Sequence, residues 1–161
     1  MRVLGIDPGT ITVGYGIIDE EDGRLEFVSC GAVRAKRGMS LAERLRTIHD
    51  GLRDVIAGFN PSAAAVEEAF CGKNVRAALR IGEGRGVAIL AASSAGIEVA
   101  EYSPAVIKRA VVGNGAAGKA QVQQMIVRIL SLDFVPEPED AADALAVAIC
   151  HCNRAGRSHG D

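Results

Sequence analysis

The stretch Val3-Leu4-Gly5-Ile6-Asp7-Pro8-Gly9-Thr10 constrains this chain more than any other. Its apolar run reads as a buried strand that ends in a carboxylate, after which Pro8-Gly9 turns the backbone away. A charge in that position is costly unless it is paired or bound to a cation. Asp7 therefore needs partners from elsewhere in the chain. The candidates are Glu67, Asp140 and Asp143.

One domain over residues 1–153 is expected, because a chain of 161 residues can bury a core without disulfides. Residues 154–161, small and polar, read as a disordered tail. Val3 to Asp7, Thr12 to Ile18 and Arg24 to about Val33 read as antiparallel strands, with Asp22-Gly23 as a hairpin turn. Gly14 and Gly16 in the second strand mark a place where something packs close to the backbone. Ser40 and Glu43 make a capping box before a helix in which Leu41, Leu45, Ile48, Leu52, Val55 and Phe59 recur at helical spacing; Asn60-Pro61 ends it. Ala63 to Val66 is wholly apolar, as in the middle of a sheet, and leads into Glu67. Ile97 to Tyr102 reads as a fifth strand, and further helices are expected over 74–95, 104–112 (capped by Ser103-Pro104), 119–132 and 139–153. The expected fold class is α/β: a five-stranded mixed sheet, three antiparallel strands and then parallel ones, flanked by helices.

Asp140 and Asp143, three apart in the first turn of the last helix, share a face. The helix N-terminus favours a negative charge by about 0.3–1 kcal/mol, which accounts for either acid alone. It leaves the neighbourhood unexplained. Ala141, Ala142, Ala144, Leu145, Ala146, Val147, Ala148 and Ile149 make the helix apolar nearly all round, so it is buried and its acids face the interior or a cleft. Four inward carboxylates, Asp7, Glu67, Asp140 and Asp143, repel one another unless cations neutralise them, and oxygen ligands alone select Mg²⁺ or Mn²⁺. Two such ions about 4 Å apart can activate water for in-line phosphoryl displacement. Metal-dependent phosphodiester hydrolysis is one chemistry such a set can serve.

A formal net charge of −2 argues against a nucleic-acid partner, but the distribution of charge does not. Arg34, Lys36 and Arg37 cluster; Lys73, Arg76, Arg80 and Arg85 face a single acid, Glu83; Lys108, Arg109, Lys119 and Arg128 lie in a stretch with no acid. The acids collect in 19–26 and 133–143. The pattern fits an acidic centre between basic surfaces, or ordinary solvated faces. Three interior glycines, Gly82, Gly84 and Gly86, each cost a helix about 1 kcal/mol. Gly82 and Gly86 share one face, with Ala78 one turn earlier, where a second helix can approach: a dimer surface, or packing on the chain's own sheet. Cys30, Cys71, Cys150 and Cys152 are irregularly spaced and read as reduced thiols. Zinc at Cys150-His151-Cys152 is disfavoured because residues two apart on a helix diverge. No export signal opens the chain and no apolar run reaches the roughly 18 residues of a membrane span, so a cytoplasmic location is expected.

Taken as a set, Leu4-Gly-Ile-Asp7-Pro-Gly-Thr10, Val66-Glu67-Glu68-Ala69-Phe70, Lys73-Asn74, Gly84-Arg85-Gly86, Val106-Ile107-Lys108 and Asp140-Ala-Ala-Asp143-Ala-Leu145 resemble the bacterial RuvC-type Holliday-junction resolvases, in order, from residue 1 to about 153. The resemblance implies a ribonuclease H-like fold and a homodimer. It implies paired, Mg²⁺-dependent nicks on opposed strands of a four-way DNA junction, in recombination and repair, with water as nucleophile and a branch-migration motor as partner. Position by position, it makes Asp7, Glu67, Asp140 and Asp143 the ligands of two ions, with Mn²⁺ able to substitute. It makes Phe70 an aromatic that stacks on bases, Lys108 and Lys119 basic residues near the scissile phosphate, with Lys119 catalytic, and Lys73, Asn74, Arg76 and Arg80 DNA contacts.

Three rivals remain. Gly113-Asn-Gly-Ala-Ala-Gly118-Lys119 fits a phosphate-loop spacing, but Ala120 lacks the hydroxyl that Mg²⁺ needs and the preceding segment reads as helix. A mobile DNA-contacting loop suits 113–118 better. Ile6-Asp7-Pro-Gly-Thr10 also resembles the first phosphate motif of actin-like ATPases and sugar kinases, which need two such domains. A catalytically silent binding module of the same fold would not need all four acids.

Overall fold

The computed structural model describes residues 1–68 and 73–155. In chain order its elements are β1 (Arg2–Asp7), β2 (Thr12–Glu21), β3 (Arg24–Arg34), α1 (Leu41–Phe59), β4 (Ala63–Glu67), α2 (Val75–Ser94), β5 (Glu98–Tyr102), α3 (Pro104–Val112), α4 (Lys119–Ile129) and α5 (Glu139–Ala155). The sheet order is β3-β2-β1-β4-β5. The β1–β2 and β2–β3 pairs are antiparallel, and the β1–β4 and β4–β5 pairs are parallel.

The hairpin turns where Asp22-Gly23 predicts it, with φ of 50° and 80°, the left-handed pair that suits the twist of its strands. β2 runs three residues past Ile18, because hairpin pairing carries Asp19–Glu21 beyond the core. α1 is held by the expected box: the Glu43 amide donates to Ser40 Oγ at 3.3 Å, and the Ser40 amide donates to Glu43 Oε2 at 2.7 Å. Its buried stripe is Ile48, Leu52 and Ile56, while Leu41 at the entry is exposed. α3 begins on Pro104, but the Ser103 side chain makes no cap hydrogen bond, so proline geometry alone starts this helix. α4 stops at Ile129, short of 132, because Ser131 adopts a left-handed φ of 51°. α5 includes residues 154 and 155, expected as tail; 156–161 lie outside the described residues. Among the described residues, no helix is long and apolar enough to cross a membrane.

Two cores sandwich the sheet. Leu4, Ile6, Val13, Ile17 and Val66 pack under α1 and α2. Val3, Ile18, Ala63 and Ala65 face α3, α4 and above all α5, whose residues 144–150 are all buried. α5 can lie directly on the strands because they carry glycine beneath it. A Cβ on Gly5 would collide with the Ala144 carbonyl and come within 2.7 Å of the Ala148 nitrogen, one on Gly16 would meet the Leu145 nitrogen at 2.8 Å, and one on Gly14 would collide with the Asp140 backbone. Gly14 and Gly16 thus do what their positions in the sequence predict.

Candidate active site

Asp7 and Glu67 close two neighbouring parallel strands, and the register Val3↔Ala63 through Ile6↔Val66 sets them side by side. Side chains alternate along a strand, so both project on the face occupied by Val3, Ala63 and Ala65, toward α5. On the other side, Asp7 pairs with Gly14. That glycine admits the first turn of α5, which carries Asp140 and Asp143 to the carboxyl ends of β1 and β4. The four predicted acids come together from three elements, as such sites do at the ends of parallel strands.

The charges interact strongly. Burial, then the charges of Glu67, Asp143 and Asp140, push the Asp7 carboxyl up to about 8, against the pull of Lys119. Burial and Asp143 also raise Glu67, while a hydrogen bond with Asp7 and the ammonium groups of Lys108 and Lys119 oppose the rise. Burial raises Asp143 in spite of Lys119. The Lys119 Nζ lies 2.8 Å from Glu139 Oε1 and 3.2 Å from Asp143 Oδ2. Burial alone would lower the Lys119 ammonium, but Glu139 and Asp143 outweigh it and hold it above its usual value. Glu139, which sequence reasoning treated only as a helix start, therefore fixes the lysine.

Glu67, Lys108, Lys119 and Asp143 line a cleft of about 230 Å³ with Pro104, Ile107, Val122 and Ala146. A larger depression, about 770 Å³, lies at the opposite end of the sheet around Met1, Arg2, Asp19–Asp22 and Phe59. Its Asp19 is neutralised by Arg2 at 2.7 Å. The smaller cleft is the one that holds desolvated, mutually repelling acids, and chemistry is better placed there. Its donors are carboxylate oxygens without sulfur or imidazole, which fits a hard divalent cation. Among the described residues, no three His, Cys, Asp or Glu side chains converge on a single ligand point, and Asp143 is turned to Lys119.

Asn74 caps α2, its Oδ1 accepting from the Ala77 amide at 3.1 Å, and Lys73, Arg76 and Arg80 are exposed beside it. Phe70 lies outside the described residues. Gly82 and Gly86 face open space, and Ala78 is half-buried. The close approach within the chain is made by Gly84, where a Cβ would collide with the Gly9 carbonyl. α2 thereby buttresses the turn that follows Asp7. Arg85 pairs with Glu101 of β5, which tethers α2 to the sheet. The 113–118 loop carries local order of its own: Asn114 Oδ1 accepts from the Ala116 amide at 2.9 Å, and Ala117 is buried. Sequence reasoning missed Tyr102. It pairs with Glu67 across β4–β5, and its hydroxyl lies 2.9 Å from His151 Nδ1 on α5. Only the strand register reveals that neighbour.

The model of the family "Crossover junction endodeoxyribonuclease RuvC" matches residues 3–151. The crossover junction endodeoxyribonuclease RuvC of Chloroflexus aggregans is 52% identical over 151 residues, covering 94% of this chain and 92% of the relative. That of Caldanaerobacter subterraneus is 49% identical over 153 residues, covering 95% and 93%. The structure of T. thermophilus RuvC in complex with a Holliday junction substrate superimposes with a TM-score of 0.92 at 34% identity, covering 98% of this chain and 96% of that one. The fold is ribonuclease H-like, and the chain belongs to the RuvC family of crossover junction endodeoxyribonucleases.

Proposed function

We propose that the cleft between β1, β4 and α5 resolves four-way DNA junctions by Mg²⁺-dependent phosphodiester hydrolysis, one nick per protomer of a homodimer. The observation that carries this reading is the convergence of four carboxylates at the ends of β1 and β4 and the start of α5, three of them raised by burial and by one another. Crowding four carboxylates, three of them partly desolvated, is unfavourable in isolation, and cations relieve it. Asp7, Glu67, Asp140 and Asp143 would hold the ions, two by the count of carboxylates, with Mn²⁺ able to replace Mg²⁺. When bound, such ions lower the pKa of water and neutralise the charge that builds on a phosphoryl group.

The protein's own groups do the rest. Asp7 and Glu67, side by side at the ends of β1 and β4, would present their carboxylate oxygens to the ions. Glu139 keeps the Lys119 ammonium protonated and aimed at the cleft, where it balances charge developing on the phosphate. Lys108, which lines the same cleft, brings a second positive charge to the phosphate. Lys73, Asn74, Arg76 and Arg80, with Phe70, provide the DNA contacts around the N-terminus of α2. The apolar stripe Val75, Leu79 and Leu90, each more than half exposed, continues past Gly82 and Gly86 and serves as the dimer face. Residues 1–153 act as one nuclease domain in the cytoplasm, delivered to junctions by a branch-migration motor.

The test is a synthetic mobile four-way junction in Mg²⁺, with nicks mapped on all four strands. Paired nicks on two opposed strands are expected. Asp7→Asn should still bind the junction without cutting it, and full cutting by that variant would refute the site.

A further inference from the structure

The third basic cluster, Arg34, Lys36 and Arg37, has no role in the site described so far. It lies in an acid-free stretch between Glu26 and Glu43. All three residues are exposed, and none takes part in an ion pair among the described residues. Such a concentration of unpaired positive charge on a chain of net charge −2 attracts a negatively charged partner from outside.

Its placement is fixed by the sheet. Asp7 pairs with Gly14, Gly14 with Ala32, and Arg34 lies two residues beyond Ala32, opposite Thr12. Alternation places Arg34 on the same face as Asp7 and Glu67, past the start of α5. The Ala35 amide then donates to the Ile11 carbonyl at 2.7 Å and Ala35 is buried, which pins the cluster to the loop that follows Asp7. Lys36 and Arg37 turn outward before Gly38, whose φ is 90°. Strand spacing of about 4.8 Å and a rise of about 3.4 Å per residue put the Arg34 Cα about 12 Å from that of Asp7. On a duplex bound across the cleft that distance is a few phosphates of one strand.

We propose that Arg34, Lys36 and Arg37 form a phosphate-binding strip that guides one duplex arm of the substrate away from the cleft, contacting backbone phosphates a few steps from the nick. The strip rests on the reading that the cleft cuts branched DNA. It lies at the β3 edge, on the other side of the site from Lys73, Arg76 and Arg80, so the substrate is gripped from both sides of the scissile phosphate.

The test compares the wild type, Arg34→Gln/Lys36→Gln/Arg37→Gln and the charge-keeping Arg34→Lys/Arg37→Lys variant on a four-way junction, measuring Kd against salt. Each lost phosphate contact lowers the slope of log K against log salt by about 0.9, so the triple variant should lose roughly two to three units. The lysine variant should keep the wild-type slope. Neutral methylphosphonates placed one at a time over the first five phosphates from the nick should weaken the wild type at two or three adjacent positions and leave the triple variant unaffected there. An unchanged slope in the triple variant overturns the strip while leaving the nuclease reading intact; a wild type that does not bind the junction overturns both.

Discussion

Replacing Asp7 by asparagine should stabilise the metal-free protein while destroying its cleavage. The folded state holds a proton on Asp7 up to about pH 8, whereas the unfolded chain releases it near the ordinary aspartate value of 3.8. Between those limits the native state binds one proton more than the unfolded state, so stability falls as pH rises, by about 1.36 kcal/mol per unit. The loss is absent below pH 4 and complete above pH 8. At pH 7 it amounts to about 4 kcal/mol. Asparagine removes the charge but buries an amide with incomplete partners, at about 1–3 kcal/mol, which leaves a net gain of about 2 kcal/mol. For a chain of this size that is roughly 4–8 °C in Tm. The assay is urea and thermal unfolding in a chelator from pH 5.5 to 8.5. The gap between variant and wild type should widen with pH, and Mg²⁺ should stabilise the wild type more than the variant. Parallel pH curves, or a variant less stable than the wild type at pH 8, would show that Asp7 does not carry the buried repulsion.

Two further outcomes follow from the packing. Gly14→Ala should push the first turn of α5 off β2, since the added methyl meets the Asp140 backbone and no flexible side chain can yield; cleavage should fall at least tenfold while circular dichroism stays native, and a fully active variant would show that α5 need not touch the sheet there. Gly86→Leu fills open space on α2 and removes a glycine cost of about 1 kcal/mol, so the protomer should not lose stability. Sedimentation should nevertheless report a monomer, and an unchanged dimer would move the interface elsewhere.

Much of the fold was legible because its signals are local. Asp22-Gly23, the Ser40–Glu43 box and Pro104 each specify a turn or a helix start within four residues. The four acids were legible for a different reason: Asp7 and Glu67 end apolar runs, and Asp140 and Asp143 open a helix with no polar face, so each was anomalous where it stood. What escaped depends on register or on distant backbone. Gly84 touches Gly9 across 75 residues of chain, and nothing near either one announces it. Tyr102 meets Glu67 and His151 only because β5 pairs with β4 in one register. The grip of Glu139 on Lys119 needs α4 and α5 to be docked before it exists. The end of α4 at Ile129 was set by the backbone at Ser131, where no glycine or proline gives warning.

The position of Asp7 on β1 also has a consequence for breathing of the molecule. β1 is hydrogen-bonded on both edges, to β2 and to β4, and is covered on both faces by helices. Such a strand opens only when the whole domain unfolds, so its amides should be among the last to exchange with solvent. Lys119, by contrast, heads α4 beyond a loop of mostly exposed residues and is itself half exposed. The two halves of the cleft therefore belong to different cooperative units: an acidic floor as durable as the fold, and a cationic wall that can yield while the floor stays fixed.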